Sequence, residues 1–210
     1  MLEKLPDVVG HALRDQRAGL DAIAFRLIDL RQGLGAIEVK SLAFVDHGPI
    51  PALYTADGEG LSPPLQWIGV PTSAGGVVLL VEDADAPTPH PLVHAIVVGL
   101  EPADGALAEG ALPGAGHAGS GLHVGRNSYL QARWLPLDPP PGHGVHRYAF
   151  QVFALAAGAP PFSGTPGRDE VLAALRDHAV ASGCVIGTYE RPDTSVREGE
   201  GALGRVSAEG

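Results

Sequence analysis

VEDADAPTPHPLVH, Val81 to His94, sets an acidic cluster at the end of one apolar run and a histidine at the start of the next. The run before it, Val77-Val78-Leu79-Leu80-Val81, has the composition of a buried strand. It ends in Glu82-Asp83-Ala84-Asp85, and Pro87, Pro89 and Pro91 stiffen the exit. His94 then opens Ala95-Ile96-Val97-Val98. A second stretch, PPPGHGVHRY from Pro139 to Tyr148, repeats the device: a rigid loop feeds His146 to Phe153, which alternates as a strand does. Loops punctuated in this way have few accessible conformations, so the side chains they present are held in place. A binding site is expected where the two blocks meet.

The 210 residues are 45% hydrophobic, with a mean hydropathy of +0.11, enough for one domain with a full core. A formal charge of -10 disfavours nucleic acid and anionic membrane surfaces as bulk partners. The 29 glycines and 19 prolines fit many short strands joined by turns rather than a helical bundle. Cys184 stands alone, which excludes an intramolecular disulfide and a cysteine zinc site, and its apolar neighbours predict a buried thiol. The first residues lack the apolar stretch of a secretory signal, and no run reaches membrane-spanning length, so a cytoplasmic protein is expected.

From Pro6 to about Leu30, apolar residues recur at three-to-four spacing and Asp7 is placed to cap, which predicts one amphipathic helix with Arg14, Asp15 and Arg17 on its polar face. Residues 1–36 therefore read as a helical extension, 37–191 as the domain, and 192–210 as a disordered polar tail. Strands are expected at Ile37–Phe44, Leu65–Trp67, Val77–Glu82, Ala95–Gly99, Arg147–Leu155 and Val185–Tyr189, with a long loop over Glu101–Gly121. Arg168 to Ala181 reads as a helix with Val171, Leu172, Leu175 and Val180 on one side and Gly183 placed to stop it. Strands without alternating helices predict an antiparallel sandwich with helices at its edges.

Several segments, in one order, resemble the bacterial branch of the phosphatidylethanolamine-binding protein family, also called Raf kinase inhibitor-like proteins. Asp83-Ala84-Asp85-Ala86-Pro87 resembles its D-P-D-A-P motif, Leu92-Val93-His94 its W-x-H segment, and Gly144-Val145-His146-Arg147-Tyr148 its G-x-H-R-Y motif. Gly125 to Tyr129, Tyr54 to Glu59, Leu61 to Trp67 and Gly187 to Glu190 are similar to further family segments, so the likeness spans about Leu42 to Arg191. It implies a mainly β, Greek-key antiparallel sandwich with peripheral helices and a small anion-binding cavity that accepts phosphate-bearing groups. Carried over by motif, the cavity wall here is Asp83, Pro87, His94, His146 and Tyr148. The family name also implies a protein partner such as a kinase. Two departures stand out: Leu92 replaces the family's tryptophan, and Trp134-Leu135-Pro136-Leu137-Asp138 replaces a glycine-rich stretch. Either the loop is re-routed with Asp138 outward, or Asp138 brings negative charge to the cavity, which then prefers a neutral or cationic-headed ligand.

The residue chemistry can be read beside that resemblance. His146 and Tyr148, two apart on a strand, share a face. An anion needs converging donors with water partly excluded, which two imidazoles, a phenol and loop amides supply. Asp83 is expected to keep His94 or His146 cationic, so that anions bind best at mildly acidic to neutral pH. Among supporting residues, Asp85 is expected to cap the proline loop, Arg147 to form an ion pair on the opposite face, and His143 to sit solvated in its Gly-His-Gly turn. No metal and no cofactor are expected: Pro91 breaks the helix that the His90/His94 spacing would need, and nothing fixes Asp83, His94 and His146 as a ligand set. No G-x-S-x-G elbow or other nucleophile is evident, so a binding module for a small anionic ligand ranks above an acid–base enzyme using the same cavity. A homodimer seam along the N-terminal stripe is the third reading.

Overall fold

The computed structural model describes residues 7–28, 30, 36–114 and 121–191. Nine strands form two sheets: β1 (Glu38–Lys40), β2 (Gly48–Pro49), β3 (Leu65–Ile68), β4 (Ala74–Asp83), β5 (Leu92–Leu100), β6 (Gly105–Leu107), β7 (His123–Val124), β8 (His146–Ala156) and β9 (Ala179–Tyr189). The small sheet runs β1-β3-β6 and the large one β2-β9-β8-β4-β5-β7, antiparallel throughout except for the short β2/β9 pairing. The mainly β sandwich expected from the sequence is what forms.

The large sheet is buried on both faces, which explains why β4 reads as an unbroken apolar run. Val77, Leu79 and Val81 point with Phe150 and Val152 toward Trp67 and the small sheet. Val78 and Leu80 point the other way, with Phe153, onto Val171, Leu172 and Leu175 of helix α3 (Arg168–His178). Period-two alternation sends each set to its own layer.

The N-terminal segment differs from its expected single helix. It makes one short helix, α1 (Asp7–Leu13), then a 3-10 turn at Leu20–Ala22 and α2 (Ala24–Leu27), leaving α3 as the only longer helix among the described residues. Partners in the domain account for the break. The buried Glu82 carboxylate accepts the Ala24 amide at 2.8 Å, the Gln151 side chain at 2.9 Å and Arg168 Nε at 2.6 Å. Gln151 Oε1 takes the Phe25 amide at 2.6 Å, and Arg168 Nη2 donates to Ala22 O at 2.7 Å. Backbone groups that a continuous helix would pair internally are thus pinned to β4, β8 and α3, and Ile23, Ala24 and Ile28 are buried there. The extension is part of the core.

Helix α3 ends at His178, three residues before the expected Ala181, and the chain turns directly into β9. Gly183 therefore sits inside a strand rather than at a helix stop. Its role is close approach: a Cβ built there would lie 1.9 Å from the Ile37 carbonyl oxygen. The 101–121 stretch, expected as loop, contains β6. The expected tail, 192–210, lies outside the described residues. Because backbone blocks the space beside Gly183, Gly183→Ala is expected to destabilise the fold by about 1–3 kcal/mol, the usual range for overpacking. Urea unfolding would show it as a lower midpoint at unchanged slope.

Candidate functional site

The cross-strand register of β4, β5 and β8 assembles the site. Asp83, the last residue of β4, pairs with Tyr148 on β8 and with Leu92 on β5. His146 opens β8 two residues before Tyr148, on the same face. On β5 the pairing slips: Val81 faces Ala95 and Glu82 faces Val93, which leaves His94 as an extra residue. Such a bulge re-aims a side chain. It turns the His94 ring toward Tyr148, with centroids 5.4 Å apart and nearly perpendicular planes, and toward Trp134 at 6.1 Å.

A cavity of about 460 Å³ opens here, walled by Asp83, Pro87, His94 and His146 from the expected set, together with Asp138. Tyr148 is not on the wall. It lies behind it, fully buried, stacked on His146 at 6.2 Å. Ala86, Leu92, Leu135, Pro136 and Pro140 make the cavity largely apolar, and Tyr129, Gln131 and Arg133 line it as well. Those last three went unassigned in the sequence reading. Tyr129 closes the Gly125–Tyr129 segment, whose family likeness assigns it no role, and Gln131 and Arg133 fall in no motif.

Hydrogen bonds decide what each polar group can offer. His146 has both ring nitrogens occupied: Nδ1 meets Asp83 Oδ2 at 2.7 Å, and Nε2 meets His143 Nδ1 at 2.7 Å. It has no N–H left for a ligand. Asp83 Oδ1 accepts the Asp85 amide at 2.8 Å, so the loop-capping role expected of Asp85 belongs to Asp83. Asp85 instead receives Arg147 three times, through its amide at 2.9 Å and its guanidinium at 2.7 and 2.6 Å, and pairs with Arg17 at 3.1 Å. Burial alone would raise the Asp85 pKa, but the bonds from Arg147 and Arg17 outweigh it and hold the carboxyl below its ordinary range. Arg147 thus makes the ion pair expected of it. His143, expected to be solvated, is fully buried because Leu13 O bonds its Nε2 at 2.8 Å.

His94 is the open group. Its Nδ1 donates to Leu135 O at 2.8 Å, while the Leu135 amide donates back to His94 O at 2.9 Å. The Trp134–Asp138 stretch therefore fixes the ring. Nε2 is buried without a hydrogen-bond partner, and so is the Tyr148 hydroxyl. Burial, opposed by the charge of Asp83, pulls the His94 pKa below the ordinary histidine value. The cation expected on His94 is therefore absent near neutral pH, and Nε2 presents a lone pair. Burial also raises the Tyr148 pKa well above 10, so its hydroxyl keeps its proton. Asp138 does face the cavity, with its charge met by Arg191 at 2.9 Å; Arg191 also holds Asp57 at 2.9 Å. Among the described residues no three His, Cys, Asp or Glu side chains converge as a metal ion requires.

Comparison with known proteins agrees with this architecture. A model of the family described as phosphatidylethanolamine-binding protein matches residues 40–190. A UPF0098 protein of Methanothermobacter thermautotrophicus is 36% identical over 155 residues, covering 74% of this chain and 99% of the relative. Another from Aquifex aeolicus is 35% identical over 161 residues, 75% of this chain and 91% of the relative. The crystal structure of a Chlamydia trachomatis phosphatidylethanolamine-binding protein homologue superposes with a TM-score of 0.65 at 33% identity, covering 74% of this chain and 98% of the other. Escherichia coli YbcL, described as a new member of the mammalian family, gives 0.67 at 26% identity over the same shares. With a family match over most of its length and relatives aligned almost end to end, this chain belongs to the phosphatidylethanolamine-binding protein family.

Proposed function

We propose that the cavity binds a small organic phosphate, or a weak acid of similar shape, in its singly protonated form. The observation that carries this reading is the unpartnered Nε2 of His94. A neutral ring whose Nδ1–H is spent on Leu135 offers an acceptor. A fully ionised phosphate would set an oxygen lone pair against it, whereas a P–OH group donates to it. Arg133, on the wall, is the nearby cation for the charged phosphate oxygens, while the unpartnered Tyr148 hydroxyl lies behind the wall and its ring backs that of His94. Asp83 fixes the framework of this set and Pro87 shapes its wall. The apolar lining and the volume suit an organic substituent beyond the phosphate itself.

Acid–base catalysis is the alternative, resting on the same lone pair: a neutral imidazole in an apolar cavity is a competent base. Its mark would be turnover of a phosphoester that disappears in His94→Phe, which removes that lone pair. For modulation of a protein partner, the exposed Tyr129 and Leu130 at the rim are the surface such a partner would cover. Among the described residues no helix is long and apolar enough to cross a membrane. A cytoplasmic location belongs to the same reading, to be checked by fractionation; the N-terminal segment expected to form a homodimer seam packs instead on its own domain, with Ile23, Ala24 and Ile28 buried.

The sign of the pH effect follows from His94. Its pKa is lowered in the free protein, and a bound anion favours its protonated form, so binding takes up a proton wherever ring and ligand are both unprotonated. Affinity for phenyl phosphate is expected to fall as pH rises from 5 to 9, approaching about tenfold per unit above pH 7, the limit for one linked proton. Titration calorimetry checks this, and an affinity that is flat or rises with pH contradicts it. His94→Phe should abolish most binding. Asp138→Asn removes an inward-facing charge and is expected to tighten binding about threefold to tenfold, the effect of roughly 1 kcal/mol of repulsion at a half-solvated site.

A further inference from the structure

We propose that Arg17 and His143 are positioning residues of the cavity, through which the N-terminal segment straps both site loops in place by a hydrogen-bond chain containing one shared proton. The segment precedes the 40–190 range matched by the family model, yet it closes on the back of the site. Arg17 Nη1 donates to Val145 O at 2.7 Å and Nη2 to His143 O at 2.8 Å, while the same guanidinium pairs with Asp85. The Ala18 and Gly19 amides donate to Ala86 O at 3.2 Å and Ala84 O at 2.7 Å. Gly10 lies so close to the proline loop that a Cβ would sit 1.9 Å from Pro141 O. One short segment therefore grips both the 83–87 loop and the 139–146 loop, which between them supply Asp83, Pro87, Pro140 and His146 to the cavity wall.

Counting protons shows what the grip depends on. Leu13 O, His143, His146 and Asp83 are joined by three hydrogen bonds of 2.7–2.8 Å, and each needs a proton. An ionised Asp83 with two neutral imidazoles supplies only two. A complete chain therefore holds a third, which makes the Asp83–His146–His143 trio neutral overall. Burial and the adjoining His146 hold His143 below the ordinary histidine range, so His143 does not carry the third proton by itself. The groups facing His143 are His146, Arg17 and the Leu13 and Gln16 carbonyls. Those facing His146 are Asp83, His143 and the Tyr148 ring, with His94 in electrostatic reach. When the third proton leaves, two ring lone pairs 2.7 Å apart would repel. His143 then turns its single N–H to His146 and releases Leu13. Higher pH thus loosens the strap from the cavity floor.

The test uses the full-length chain, with hydrogen exchange read by NMR at the Ala18 and Gly19 amides between pH 6 and 9. Protection, corrected for intrinsic exchange, is expected to drop about tenfold across the titration, the effect of one lost hydrogen bond on local opening. In His143→Phe it should be low and independent of pH; Arg17→Ala should lower it, and Arg17→Lys should partly restore it. Unchanged protection in Arg17→Ala, or none of the pH dependence in the unmodified chain, overturns the strap. The positioning role rests on the ligand reading and has its own readout: phenyl phosphate affinity should fall at least about threefold in Arg17→Ala, with partial rescue by Arg17→Lys. Reduced protection with unaltered affinity overturns positioning. If the unmodified chain does not bind phenyl phosphate, the ligand reading fails, while the exchange experiment still decides the strap.

Discussion

Hydrogen-bonding capacity, with water excluded, is the constraint on which this site depends. Every polar group brought to the end of β4, β5 and β8 must find a partner or carry the cost of lacking one, commonly about 1–3 kcal/mol. Asp83 divides its two oxygens between the Asp85 amide and His146. Asp85 is saturated by two arginines, and His146 by an acid on one side and a second imidazole on the other. These commitments leave the Nε2 of His94 open on a mostly apolar hollow, with the unpartnered Tyr148 hydroxyl buried behind its wall. What the cavity offers a ligand is defined by what the surrounding network does not consume.

This arrangement redistributes the roles of two histidines that look equivalent in the chain. His146 sits in the wall as a framework group, its orientation set by two neighbours. His94 is made different by a single bulge in β5 and by reciprocal bonds to Leu135. The stretch around Leu135 is therefore the part that sets the tautomer of His94. Asp138 introduces a negative charge in the same stretch, and Arg191 answers it from beyond the end of β9.

Much of this was legible in the chain. The buried run of β4, the alternation of β8 and the family motifs located the sandwich, and i, i+2 spacing put His146 and Tyr148 on one face. The bulge at His94 was hidden, because an extra residue in a strand leaves no mark on an apolar pattern. The burial of His143 was hidden as well: its partner, Leu13, is 130 residues away. Arg17 read as one member of a solvated helix face because helical periodicity carries no information about long-range acceptors. The helix itself gave way where Glu82, Gln151 and Arg168 offered its backbone better partners. Gly183 misled for a related reason, since a glycine after a helical pattern looks the same whether it ends a helix or admits a neighbouring carbonyl.

Ligand recognition in this cavity turns on the protonation state of one ring, and side-chain ¹⁵N NMR of His94 observes it directly. At pH 7 the free protein should show Nδ1 protonated and Nε2 bare, with Nε2 moving toward a protonated or strongly hydrogen-bonded shift on saturation with phenyl phosphate. A free protein in which His94 carries its proton on Nε2, or on both nitrogens, would contradict it.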